Sequence, residues 1–171
     1  MISVVMGEQF ASLGPGAYSL RPHARADYEA LLQEEMPRGL PDVIVHMWSV
    51  TATNDEQSDD EDFGRHQELG FHSVVRLVQA LENHYAASPI RITVVSSQTE
   101  GVNGVERLCP AKATVLGACR VIPQEYPNLR CQLVDVDPSE SGLEIGSALA
   151  GNLITELMTQ PRRLDPTVWL K

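Results

Sequence analysis

Glu106-Arg-Leu-Cys-Pro-Ala-Lys-Ala-Thr-Val-Leu-Gly-Ala-Cys-Arg-Val-Ile-Pro-Gln-Glu-Tyr-Pro127, with Arg130-Cys-Gln-Leu-Val-Asp-Val-Asp137 just beyond it, decides the fold of this chain. Pro110 to Ile122 reads as a helix and Cys131 to Val136 as a buried strand. The segment before them, Ile90-Arg-Ile-Thr-Val-Val95, is another apolar β-rich run and ends in Ser96-Ser97. Strand, helix, strand in this order is a crossover unit of a parallel sheet.

Working outward, the same alternation repeats. Leu69 to Ala87 places Val74, Leu77, Val78, Leu81 and Tyr85 on one helical stripe. Val43-Ile-Val-His-Met-Trp-Ser-Val50 is a nearly continuous apolar run, which predicts a strand buried on both faces. Ala24 to Met36 carries Tyr28, Leu31 and Leu32 at helical spacing and is stopped by Pro37, Gly39 and Pro41. Toward the carboxyl end, Leu143 to Met158 repeats Ile145, Leu149, Leu153 and Leu157 every four residues, and Thr167 to Leu170 reads as one further strand. At the amino end, Ile2 to Met6 and Ala17 to Arg21 read as strands, with a hairpin across Leu13-Gly-Pro-Gly16 expected to join them. The expected fold class is α/β, a doubly wound, mostly parallel sheet with helices on both faces, formed by residues 1–171 as a single domain.

The totals narrow the function. The chain has 171 residues, 43% of them hydrophobic, enough for one substantial core. A formal net charge of -10 excludes the clustered cations that a phosphate backbone or an anionic membrane needs, so neither nucleic acid nor membrane is an expected partner. Cys109, Cys119 and Cys131 lack the close Cys-x-x-Cys pairing of structural zinc sites and read as core residues in a reducing compartment. Met1 to Met6 is too short and too uncharged at its start for a secretion signal, which makes the cytoplasm the expected location. Asn54 to Asp62 holds six carboxylates without a compensating base or a calcium-loop spacing, and reads as a solvated acidic loop.

A doubly wound sheet invites a nucleotide, and its phosphate turn would follow the first strand. Gly14-Pro-Gly-Ala-Tyr-Ser19 begins like G-x-G-x-x-G but ends in serine and leads into a strand instead of a helix. Ser141-Gly-Leu-Glu-Ile-Gly-Ser-Ala148 lacks the final glycine as well. No G-x-S-x-G elbow for a serine hydrolase exists. His46 lies within a strand and reads as a hydrogen-bonded core imidazole, while His23, His66, His72 and His84 form no ligand spacing. No catalytic, cofactor-binding or metal-binding residue is therefore expected in this chain.

Ser97 and Lys112 resemble the serine and lysine of short-chain dehydrogenases/reductases, with Lys112 fifteen residues after Ser97. In those enzymes a tyrosine four positions before the lysine donates the proton, its pKa lowered by the ammonium beside it. Leu108 stands there and cannot transfer one. Tyr18, Tyr28, Tyr85 and Tyr126 are followed four residues later by Pro22, Leu32, Pro89 and Arg130, so none restores the pair. Lys112 then reads as a surface or helix-facing cation.

Four segments together carry a fuller resemblance: Tyr18-Ser-Leu-Arg-Pro22 with Asp27-Tyr28 and Leu31-Leu32; Ile44-Val-His-Met-Trp-Ser-Val-Thr51; Gly70-Phe71 with Leu77-Val-Gln-Ala-Leu81; and Glu106 through Pro127 with Leu133-Val-Asp-Val-Asp137. Over nearly its whole length the chain resembles the structural, amino-terminal subdomain of a modular polyketide synthase ketoreductase. The resemblance implies a truncated Rossmann-like fold that has lost cofactor binding and catalysis. It also implies a separate catalytic subdomain as partner, which holds NADPH and reduces a β-ketone on an acyl carrier protein beside neighbouring synthase domains. The acidic stretch Asp55 to Asp62 departs from that pattern. An autonomous divergent short-chain oxidoreductase using Ser97 and Lys112, and a docking module whose acidic loop recruits a basic surface, are the alternatives.

Overall fold

The computed structural model describes residues 1–51, 60–82, 89–101, 104, 108–137, 147–158 and 167–170. The chain alternates as its sequence implies. Strand β1 (Ser3–Met6), β2 (Ala11–Gly14) and β3 (Ala17–Leu20) come first, then α1 (Arg25–Glu35) with a tight 3-10 turn at Met36–Arg38. Strand β4 (Val43–Ser49) is followed by α2 (Asp60–Gln67), a π-helical turn at Glu68–His72 and α3 (Ser73–Leu81). Strand β5 (Ile90–Ser97), α4 (Pro110–Glu125), β6 (Leu129–Val136), α5 (Ser147–Met158) and β7 (Thr167–Leu170) complete it.

Two sheets result. Strands β4, β5, β6 and β7 lie side by side in sequence order, all parallel, so each is joined to the next by a crossover. Alternate residues of β5 and β6 feed two different cores, as the two-residue period of a strand demands. Ile90, Ile92, Val94, Leu129, Cys131 and Leu133 pack with α1, α3 and α4 on one face. Val95, Val134 and Val136 pack against Leu149 and Leu153 of α5 on the other. Helices thus cover both faces of an α/β sheet, as expected.

The small sheet corrects the amino-terminal expectation. Its order is β1-β3-β2, with β1 parallel to β3 and β2 antiparallel to it. The turn at Gly14-Pro15-Gly16 therefore joins β2 to β3, not β1 to β3. Pro15 and Gly16 suit a type II turn, in which the third residue takes a positive φ, and Gly16 has φ +70°. A Cβ on Gly16 would also come within 3.0 Å of the Met1 carbonyl, because β1 runs close alongside. Arg21 and Asp27 fix the small sheet to α1. The buried Asp27 carboxylate accepts the Arg21 amide at 3.0 Å and its guanidinium at 2.9 and 2.7 Å. Those Arg21 hydrogen bonds hold Asp27 below the usual carboxylate range.

Other boundaries also shift. Asp60, Glu61 and Asp62 open α2 and are not loop; residues 54–59 of the acidic stretch lie outside the described residues. The helix expected from Leu69 begins at Ser73, after the π-helical turn, and Tyr85 lies outside the described residues. Helix α4 runs on through Pro123 to Glu125. Helix α5 starts at Ser147, and Leu143 and Ile145 lie outside the described residues.

Strand β4 is not buried on both faces. Val43, Val45 and Met47 are 37%, 37% and 39% exposed. The physical reason is position: β4 is the edge of its sheet, and α5, on that face, packs over β5 and β6. The other face of β4 is tied down by His46 and by the π-helical turn. Gly70 of that turn comes so close that a Cβ there would sit 3.0 Å from Ser49 Oγ.

A buried polar site at the ends of the parallel strands

Parallel strands deliver their carboxyl ends to one edge, where doubly wound folds place ligands. Here β4 ends at Ser49 with Thr51 just beyond, β5 ends at Ser97, and β6 carries Asp135 next to its last position. Ser96 is in register with Asp135 across the β5–β6 pair. The first turn of α4 meets these ends and brings in Lys112.

Lys112 is 2% exposed, which overturns the surface alternative of the expected surface or helix-facing cation. Its ammonium donates to Thr51 Oγ1 at 2.6 Å and to Ser97 Oγ at 2.9 Å. Helix α4 begins at Pro110, and its N-cap residue Cys109 supplies no side-chain bond. A cation in the first turn stands at the positive end of the helix dipole, which is unfavourable by itself. Two hydroxyls and the negative charge of Asp135 offset that placement.

Asp135 is 1% exposed. Its carboxylate accepts the Thr99 amide at 3.1 Å and the Glu100 amide at 3.0 Å. Burial pushes its pKa up, while the amide hydrogen bonds and the Lys112 charge pull it down. Gln98, at φ +65°, turns the chain so that successive amides face this carboxylate, and its own carbonyl accepts the Cys109 amide at 2.8 Å. The loop leaving β5 is thereby closed onto the start of α4.

The structure brings Ser97 and Lys112 together but, among the described residues, supplies no phenol in register. Leu108 lies before the helix begins and is 48% exposed, so position 108 is not one helical turn below the lysine. The Tyr18 hydroxyl is bound to Glu35 and that of Tyr28 to the Pro22 carbonyl at 3.0 Å; Tyr126 stands at the opposite end of α4. The Gly14 turn, a hairpin between two strands, opens no helix. Residues 138–146 of the second glycine-rich segment lie outside the described residues. Among the described residues, no three His, Cys, Asp or Glu side chains gather as metal ligands.

Sequence reasoning missed Thr51 and Asp135. Asp135 did leave a signal, a carboxylate within the apolar run Leu133-Val-Asp-Val136, since a buried charge needs partners. His46 is a core imidazole as expected. Its Nε2 lies 2.8 Å from Ser73 Oγ, and its ring packs edge-on against Trp48.

A family model described as "Beta-ketoacyl synthase-like, N-terminal" matches residues 1–154. No curated protein matches the chain. Among solved structures, a keto acid-selecting nonribosomal peptide synthetase module with adenylation, ketoreductase and pseudo Asub domains aligns with TM-score 0.82 at 22% identity. That alignment takes in 99% of this chain and 14% of the module. The N-terminal ketoreductase of a macrolactin assembly line aligns with TM-score 0.68 at 18% identity, over 79% of this chain and 26% of that one. A short-chain dehydrogenase/reductase from Serratia marcescens aligns with TM-score 0.64 at 14% identity, over 98% of this chain and 83% of that enzyme. These likenesses establish a ketoreductase-like and short-chain-reductase-like fold.

Proposed function

This chain belongs to the Beta-ketoacyl synthase-like, N-terminal family, and we propose that it is the non-catalytic structural half of an assembly-line ketoreductase. Its companion half would hold NADPH and reduce the β-ketone of an acyl thioester presented by a carrier protein, in the cytoplasm and among neighbouring synthase domains. The chain spans 14% and 26% of the two assembly-line proteins it resembles, so the reduction belongs to the larger protein in this reading.

One observation carries the proposal. Lys112 and Ser97, which by sequence resemble a short-chain reductase's catalytic pair, are both buried and bonded to each other, and Leu108, four residues before the lysine, has no proton to give. A lysine sealed from solvent, with two of its three hydrogens given to hydroxyls, is poorly placed to bind a cofactor ribose or tune a phenol. Its work is to hold the ends of β4 and β5 against α4.

The decisive experiment is a calorimetric titration of NADPH into the 171-residue chain. No saturable heat is expected, and micromolar binding would overturn the proposal. A second check restores the missing residue. Leu108→Tyr is expected to give no turnover of a model β-ketothioester, because position 108 precedes the helix. Turnover by the unaltered chain, lost in a Lys112→Ala variant that circular dichroism shows to be folded, would instead identify an autonomous reductase, the reading favoured by the 2.9 Å contact between Ser97 and Lys112.

A further inference from the structure

We propose that the carboxyl ends of β5 and β6 form a binding site for a small carboxylate, filled in this chain by its own Asp135. The Thr99 and Glu100 amides, 3.1 and 3.0 Å from the Asp135 carboxylate, form a concave pair of donors of the kind that holds anions in backbone nests. Gln98, at φ +65°, creates that concavity at the cost of a backbone conformation that side-chain-bearing residues rarely adopt.

Two further groups belong to the same site. Ser96 Oγ, on the strand next to Asp135 and in register with it, is buried without a hydrogen-bond partner among the described residues. Lys112, held in place by Thr51 and Ser97, adds a weak favourable field at the carboxylate. Two amide donors and a spare hydroxyl, with the field of one buried cation in support, make a receptor for a single negative charge. A doubly charged phosphate would leave one charge uncompensated in a buried place. The site also lies at the strand ends where doubly wound folds bind ligands. The side chain of Asp135 occupies it from within, so the chain closes its own ligand position.

Shortening residue 135 should therefore open the site to a ligand of formate size. The experiment is thermal unfolding of the full chain carrying Asp135→Ala, titrated with sodium formate and, at equal ionic strength, with sodium chloride. Formate is expected to raise the midpoint of the variant saturably, and chloride to leave it unchanged. Asp135→Asn, whose side chain still fills the position, is expected to ignore both salts, as is the unaltered chain.

If Asp135→Ala does not fold in buffer, its refolding yield in formate against chloride gives the same comparison. Equal effects of the two salts on Asp135→Ala would overturn the proposal, as would an equal formate response from Asp135→Asn. The readout needs no companion half and no cofactor, so the outcome is separate from that of the NADPH titration.

Discussion

Lys112→Ala is expected to destabilise the chain by about 3–5 kcal/mol, the upper range for truncating a buried side chain and leaving its polar partners unsatisfied. Three effects act together. The Thr51 and Ser97 hydroxyls lose the donor that now lies 2.6 and 2.9 Å away. Asp135 keeps its buried charge without the nearby cation. The four-carbon stem leaves a void, and α4 cannot close it freely, because Gln67 Nε2 binds the Ala111 carbonyl at 2.6 Å and holds that first turn.

Lys112→Met separates these contributions, since it keeps the stem volume and removes the charge. A cost of about 1–3 kcal/mol is expected for it, the range for leaving buried polar groups unsatisfied. Lys112→Met with Asp135→Asn should cost less than the sum of the two single changes, because neutralising both members removes the uncompensated charge. Urea unfolding monitored by circular dichroism measures the four variants against the unaltered chain. A loss of less than 1 kcal/mol for Lys112→Ala, on the scale of surface substitutions, would show that the buried lysine does not brace the strand ends.

The burial of Lys112 shows where sequence reading reaches its limit. Helix α4 and strands β5 and β6 were legible because their apolar residues recur at the period of the element they form. What surrounds a side chain depends instead on residues far along the chain, and Thr51 lies 61 positions from Lys112. Most lysines are solvated, so the sequence alone favours the surface, and only the meeting of β4, β5 and α4 reverses that. Strand β4 failed differently. A continuous apolar run says that both faces are water-averse but not that both are covered. Strand β2 was missed because Ala11-Ser-Leu-Gly14 is short and has no β-branched or aromatic residue, and its partner β3 decides its conformation. Position 108 is unfit for a proton donor for two reasons, of which spacing showed only the first: leucine carries no proton to give, and Pro110 starts the helix two residues later.

His46 makes the stability of the chain depend on acid. Ser73 Oγ directs its one hydrogen to the carbonyls of the π-helical turn, 2.7 Å from Leu69 O and 3.1 Å from Gly70 O. His46 must then donate from Nε2, and Nδ1 is left as a buried, unpartnered acceptor. Protonating Nδ1 would place a charge there, and burial lowers the pKa of His46 to about 4. The unfolded chain takes up that proton near pH 6.5. The unfolded state therefore binds more protons between pH 6.5 and 4, so stability is full above that window and falls as pH drops through it. A depression from 6.5 to about 4 corresponds to a loss of about 3 kcal/mol. Asp135, with its raised pKa, acts in the opposite direction, so the His46 contribution has to be isolated by substitution. His46→Gln keeps an N–H donor for Ser73 and removes the titration. Urea unfolding from pH 7.5 to 4 should show a shallower dependence for His46→Gln than for the unaltered chain, by close to one proton. Equal slopes would mean that the imidazole reaches solvent or gains a partner on protonation, and that the joint between β4 and the π-helical turn opens before the fold does.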